Sequence, residues 1–311
     1  MRSPRSFRQH PTRRLAGPAA MLCALLAGQL PALTGLASRA QAWAETGASP
    51  TPPSFEVGLV GDTGYSAEQK NDFLDVRDHM AGHPLSSVVH NGDIWEAGTA
   101  CTEENFEEQR ALFDGFAHPF IYTPGDNEWL DCPEGASRRH LSTIRRIFFG
   151  TDESLGRSRL LVARQGPNFV ENARWSHQGI VFTTLSVPGP DGGGGDFRKR
   201  NPANLAWLHQ AFDIAQANGA PGVMVIWQDN PFEPNRRSDL LDALEQRARA
   251  FGRPVALVHG DTHHFQIDHP FEGLPTFTRV ETFAGGDSDR WVRALIDPTS
   301  TDVFTFEKMR A

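Results

Sequence analysis

Glu56-Val57-Gly58-Leu59-Val60-Gly61-Asp62-Thr63-Gly64 sets the terms for the whole chain. A short apolar run ends abruptly in Gly-Asp, as a buried strand does when it leaves a sheet through a sharp turn. Three more apolar runs end in Gly-Asp, and a fourth ends in a polar turn without the glycine. The strand candidate Ser87–His90 runs into Asn91-Gly92-Asp93, and Phe120–Thr123 into Pro124-Gly125-Asp126-Asn127-Glu128. Val223–Trp227 leads to Gln228-Asp229-Asn230, and Val255–His259 to Gly260-Asp261-Thr262-His263-His264. A further strand candidate is Ile180–Leu185. Helical patterns fall between them at Ala67–Met80, Glu103–Phe116, Ser137–Phe148, Ala203–Asn218 and Arg236–Phe251. Strand and helix alternating in this way predict an α/β domain with a central, mostly parallel sheet. Phe277–Phe283, Trp291–Ile296 and Val303–Phe306 add antiparallel strands without intervening helices. Ligands of such sheets bind beyond the carboxyl ends of the strands, so the five polar turns are expected to converge there.

Convergence has an electrostatic consequence. Asp62, Asp93, Asp126 and Asp261 in one crevice repel one another and resist burial unless a counter-charge joins them. Divalent cations supply it, and two of them can share a carboxylate about 3.5–4 Å apart while activating a water. A set rich in oxygen with one imidazole, His263, suits Mn, Mg, Ca or Fe better than Zn. Asp62, Asp93 and His263 are assigned to one ion; Asp93, Asp126, Gln228 and Asp261 to the other, with Asp229 the alternative to Gln228.

The order of these motifs resembles the calcineurin-like metallophosphoesterase superfamily, which includes the purple acid phosphatases, from about Asp62 to His264. The resemblance implies an α/β fold with a central β-sandwich flanked by α-helices in four layers. It also implies a dinuclear centre that hydrolyses phosphate esters. The match has departures. Gly64 stands where many members have a ligating His, and Glu96 where purple acid phosphatases have a Tyr. Asp126, Asn127, Gln228 and Asp261 replace the usual Asn, His, His and His. Most of these swaps keep oxygen donors. Asn127 stands in the catalytic position without an ionisable group, and His264 and His90 are the candidates to replace it in moving a proton.

The 311 residues carry 22% charged and 39% hydrophobic side chains, an ordinary globular composition. Residues 1–42 hold six Arg and no acid, and removing those six from the 30 basic residues leaves 24 against 38 acidic ones. A body that acidic argues against nucleic acid as a stable partner. The Arg-rich start, the apolar stretch from Leu15 to Leu36 and the small residues at Ala40-Gln41-Ala42 read as a secretory signal peptide, with Thr12-Arg13-Arg14-Leu15 hinting at twin-Arg export. The expected organisation is signal peptide 1–42, linker 43–54 and a metallophosphoesterase-like domain 55–311, periplasmic or secreted and free of the membrane once the signal is removed. Cys101 and Cys132 then remain, a pair able to form one disulfide in an oxidising compartment.

Other features are set beside this reading. Cys132-Pro133-Glu134-Gly135-Ala136-Ser137-Arg138 fits the phosphate loop of cysteine-dependent phosphatases, but lacks the His and strand expected before it. The loop Asp191–Asp196 with Arg198 and Arg200 offers positive charge for an anionic substrate. The expected function is hydrolysis of a small phosphate mono- or diester by a divalent-metal-activated water. The alternative is a catalytically silent periplasmic protein that binds a metal or an anion in the same crevice.

Overall fold

The computed structural model describes residues 53–311 apart from 134, 136, 190–193 and 235–237. The expected signal peptide and most of the linker lie outside the described residues, as does the first half of the Asp191–Asp196 loop. No helix among the described residues is long and apolar enough to cross a membrane.

In chain order the elements are β1 (Phe55–Val60), α1 (Ala67–Met80), β2 (Leu85–His90), α2 (Glu103–Asp114), β3 (Phe120–Tyr122), α3 (Ser137–Phe148), β4 (Ala163–Gln165), β5 (Phe169–His177) and β6 (Ile180–Thr184). They continue with α4 (Gly194–Ala217), β7 (Val223–Ile226), α5 (Asp239–Phe251), β8 (Val255–His259), β9 (Gln266–Asp268), β10 (Phe277–Glu281), β11 (Arg290–Ile296) and β12 (Phe304–Arg310). Ser66, Thr102 and Ser238 cap α1, α2 and α5, each side-chain oxygen accepting from the backbone N–H three residues on. Gly252 ends α5 in the left-handed conformation. Pro202 lies inside α4 rather than at its start. A proline suits a first helical turn, which is why the sequence pattern places the helix start at Ala203.

The strands form two sheets where strand–helix alternation alone predicts one. One sheet has the order β12-β11-β1-β2-β3 and the other β4-β5-β6-β7-β8-β10-β9. β1, β2 and β3 run parallel, as do β6, β7, β8 and β10. Side-chain parity explains the layering. Val57, Leu59, Val89 and Ile121 of the first sheet share a core with Phe182, Met224, Ile226, Ala256 and Val258 of the second. The alternate residues face outward: Val60, Val88 and Tyr122 pack with α1, α2 and α3, and Val181, Val223, Val225 and Leu257 with α4 and α5. Both faces of the central strands are therefore dry, which is why those strands read as continuous apolar runs. Each large aliphatic side chain so buried contributes about 1.5–3 kcal/mol. The result is a β-sandwich between two helical layers, the four-layer arrangement the resemblance implies.

Candidate metal centre at the strand ends

β1, β2 and β3 of one sheet and β7 and β8 of the other deliver their polar turns to a common edge. The turns are laced together by backbone bonds: Asp62 N donates to Gly92 O at 2.9 Å, Thr63 N to Asp93 O at 3.0 Å and Gly260 N to Gln228 O at 3.0 Å. Close approach dictates the glycines. A Cβ on Gly125 would sit 2.0 Å from Asp93 Oδ1, and one on Gly260 would sit 1.9 Å from Asp62 Oδ2.

The backbone itself is costly here. Five non-glycine residues among those described have positive φ, and four of them are Asp62 (51°), Asp93 (56°), Asp261 (80°) and His263 (61°). Left-handed backbone costs an L-residue roughly 1–2 kcal/mol, and Asp bears it best because its short side chain can bond locally. Strain of this kind gathers at ligand sites, where the surroundings hold it in place.

The side chains meet in two linked groups. The Tyr65 hydroxyl stands 3.4 Å from Asp62 Oδ1, 3.5 Å from Asp93 Oδ2 and 3.2 Å from His263 Nε2. His263 Nε2 is also 3.6 Å from Asp62 Oδ1. In the second group the Gln228 amide donates to Asp93 Oδ2 at 2.9 Å and to Asp261 Oδ1 at 3.3 Å. Asp93 is thus common to both. Asp261 N donates to Asp62 Oδ1 at 3.1 Å, and Asn230 N to Asp261 Oδ2 at 3.2 Å. Between Gln228 and Asp229, it is Gln228 that reaches the cluster. Among the described residues no three of these carboxylate and imidazole atoms all come within 4.8 Å of one another; they stand around the Tyr65 hydroxyl and the Gln228 amide.

Burial and like charge raise the carboxyl pKa values. Asp62 is lifted first by desolvation, and Asp93 well above its ordinary value by desolvation and then by Asp126, Glu128, Asp62 and Asp261. Asp126, half-buried, is pushed up to about 7 by desolvation and by Asp261. His263 moves up because Asp62 favours its charged form. Asp62 Oδ2 and Gln228 Oε1 are buried without a hydrogen-bond partner. This donor set, mostly oxygen with one imidazole and two orphaned acceptors, fits a hard divalent cation. Asp62, Asp93 and His263, with Tyr65 beside them, would hold one ion; Asp93, Gln228, Asp261 and Asp126 would hold another.

Several expected residues lie elsewhere. His90 is fully buried, its Nε2 2.8 Å from Thr63 Oγ1 and its Nδ1 accepting from Gly92 N, and desolvation holds its pKa down to about 3. Both nitrogens are spent on the turns, so it supports them rather than meeting a substrate. The Asn127 side chain turns away to donate to Trp95 O at 2.9 Å, leaving its backbone N 3.4 Å from Asp93 Oδ1. Arg200 is buried in an ion pair with Glu171 and donates to Ser186 O, so it is not available to an anionic substrate. Arg198 is exposed on α4, and His264 is exposed with its backbone N bonded to Glu281. Glu96 is exposed. Cys132 is joined to Cys101 in a disulfide, which removes the thiolate that a cysteine-dependent phosphatase needs.

The sequence reading missed Tyr65, Glu128 and Glu281. Glu128 Oε1 accepts from Ile94 N and from the Tyr122 hydroxyl, bracing the turn after β2, and burial pushes its pKa up to about 8. Glu281 Oε1 accepts from Thr262 Oγ1 and His264 N, holding the turn that carries His263. A signal for the tyrosines was present. The chain has two Tyr against 21 Phe, and both hydroxyls bond carboxylates at this edge.

GAP50, described as the anchor in the inner membrane complex of Plasmodium, aligns with a TM-score of 0.52 at 9% identity, over 83% of this chain and 89% of that one. The calcineurin-like phosphoesterase YfkN of Bacillus subtilis aligns at 0.44 and 11% identity, over 83% and 91%. A dimetal phosphatase of Danio rerio aligns at 0.47 and 11%, over 83% and 99%. The chain shares its overall fold with GAP50. No family model matches the sequence, and no curated protein matches it. At these identities the likeness speaks for the fold, and the site must be argued from its own residues.

Proposed function

We propose that this metallophosphoesterase-fold protein is an exported hydrolase of small phosphate mono- or diesters, working with two divalent cations at the strand-end cluster. The observation that carries the reading is that Asp62, Asp93, Asp261 and His263 all hold left-handed backbone at the one edge where they meet. Strain and crowded carboxylates are both unfavourable to folding, and bound cations offset both. When present, such ions polarise a phosphoryl oxygen and lower the pKa of a bound water. Asp93, common to both groups, is the residue suited to couple the two sites. Glu128 and Glu281 hold the turns in register. The acidic body and the Arg-rich N-terminal segment support an exported enzyme whose substrate is small rather than a nucleic acid.

The test is hydrolysis of an aryl phosphate and its diester across Mn²⁺, Mg²⁺, Ca²⁺ and Fe²⁺. Turnover that needs metal and falls more than about 100-fold in Asp93→Asn supports the enzyme, since removing a ligand exceeds the 10–100-fold typical of residues that merely orient one. The second reading, a silent metal or anion binder, is favoured by the Asn127 side chain turning away from the crevice to Trp95 O. Calorimetric binding of Mn²⁺ with no turnover on either ester selects that reading.

A further inference from the structure

Away from the carboxylates, one trio of metal-capable side chains stands closer together than any other among the described residues. Cys101 Sγ, Cys132 Sγ and a ring nitrogen of His140 all lie within 4.8 Å of one another, and all three residues are buried. The sulfurs are joined in the disulfide, with Cα atoms 5.7 Å apart. His140 sits in the first turn of α3, its Nε2 2.6 Å from Gly135 O. A carbonyl can only accept, so Nε2 carries the proton and the lone pair is on Nδ1. That second-atom hydrogen bond to a backbone carbonyl is how metal-ligating histidines are commonly fixed.

We propose that reduction of the Cys101–Cys132 bond converts this corner into a Cys₂His site for a borderline-soft divalent cation of the Zn²⁺ class. The redox step is thiol–disulfide exchange with a dithiol. Its two electrons cleave the S–S bond, it leaves as its own cyclic disulfide, and each protein sulfur takes up a proton. Cation binding then releases both thiol protons. Zn–S bonds of about 2.3 Å and Zn–N bonds of about 2.0–2.1 Å set tetrahedral ligands roughly 3.5–4 Å apart, so the two sulfurs, covalently joined now, must draw apart once their bond is cut. Thiolate softness separates this corner chemically from the oxygen-rich edge. The two are mechanically joined, because Asn127 O lies 3.8 Å from Cys101 Sγ and 4.0 Å from Cys132 Sγ while Asn127 N faces Asp93 Oδ1. A cation held here would bear on the third turn of the strand-end cluster.

The experiment is Co²⁺ titration of the full chain, oxidised and dithiol-reduced, under anaerobic conditions. The reduced chain is expected to develop a thiolate-to-Co²⁺ charge-transfer band saturating at one equivalent, displaced by Zn²⁺ and missing from the oxidised chain. Asp93→Asn retains the band, Cys132→Ser abolishes it, and His140→Ala weakens affinity at least 10-fold. Carboxylate-bound Co²⁺ gives no such band, so the result is independent of whether the strand-end site is an enzyme. No band on reduction, a band indifferent to Cys132→Ser or to His140→Ala, or loss of native near-UV dichroism on reduction would each overturn the proposal.

Discussion

Two buried carboxylates are treated in opposite ways. Glu171, fully buried on β5, is gripped by Arg145 at 2.8 Å and by Arg200, and those guanidiniums outweigh desolvation to hold its pKa below the ordinary value. Asp93, equally enclosed, has acids for its charged neighbours, and its pKa rises. The chain therefore has the means to neutralise a buried carboxylate with arginine and uses them where the task is holding β5 to α3 and α4. At the strand ends, no guanidinium among the described residues pairs with Asp62 or Asp93. That contrast is the strongest local argument that the edge is built for cations from solution.

The largest expected effects come from deleting each carboxylate. Glu171→Ala leaves buried guanidinium charge behind and should cost about 3–5 kcal/mol, read from the denaturant midpoint. Asp93→Asn should have the opposite sign for stability: with chelator present the midpoint rises, because like-charge repulsion is relieved, while metal-dependent turnover disappears. A midpoint that falls in chelated Asp93→Asn would break the comparison.

Next in size is the pH dependence of the chelated protein. Asp126 keeps its proton to about 7 and Glu128 to about 8, whereas the unfolded chain releases both near pH 4. Over that window the folded state binds more protons, so stability falls as pH rises from about 5 to 8. His90 and His259, both held down to about 3, act with the other sign, and their contribution is lost as pH drops below about 6.5. Thermal melts of chelated protein should therefore decline above pH 6.5, and Glu128→Gln should flatten that decline. A chelated melt that climbs steadily from pH 6.5 to 8 would contradict it. Smallest is Tyr65→Phe, which removes one hydroxyl from among Asp62, Asp93 and His263. Stability should move by no more than about 1.5 kcal/mol, and Mn²⁺ affinity by about 10-fold, measured by calorimetry.

Much of this was legible in the chain. Apolar runs ending in Gly-Asp located β1, β2, β3 and β8 within two residues, because strands dry on both faces leave a signal that needs no periodicity. β5 was not legible for the converse reason. Phe169–His177 carries Glu171 and Asn172 fully buried, and no apolar pattern reports a polar pair satisfied by Arg200 and Asn204 from a distant helix. β4 and β9 are three residues each, too short for a pattern. The alternation of strand and helix also cannot say whether strands lie in one sheet or two; the parity of inward residues does so only once partners are known. At the site, the aspartates followed from their turns. Tyr65 did not, since its hydroxyl acts across the crevice on residues 28 and 198 positions away.

The left-handed backbone at Asp62, Asp93, Asp261 and His263 bears on how this edge can change over generations. At such angles glycine relieves strain for almost any other side chain, so a lineage released from its chemistry would gain stability by drifting to glycine there. Under the proposed function, relatives that use the site are expected to keep a coordinating side chain at all four positions, and glycine at two or more is expected where the use has lapsed.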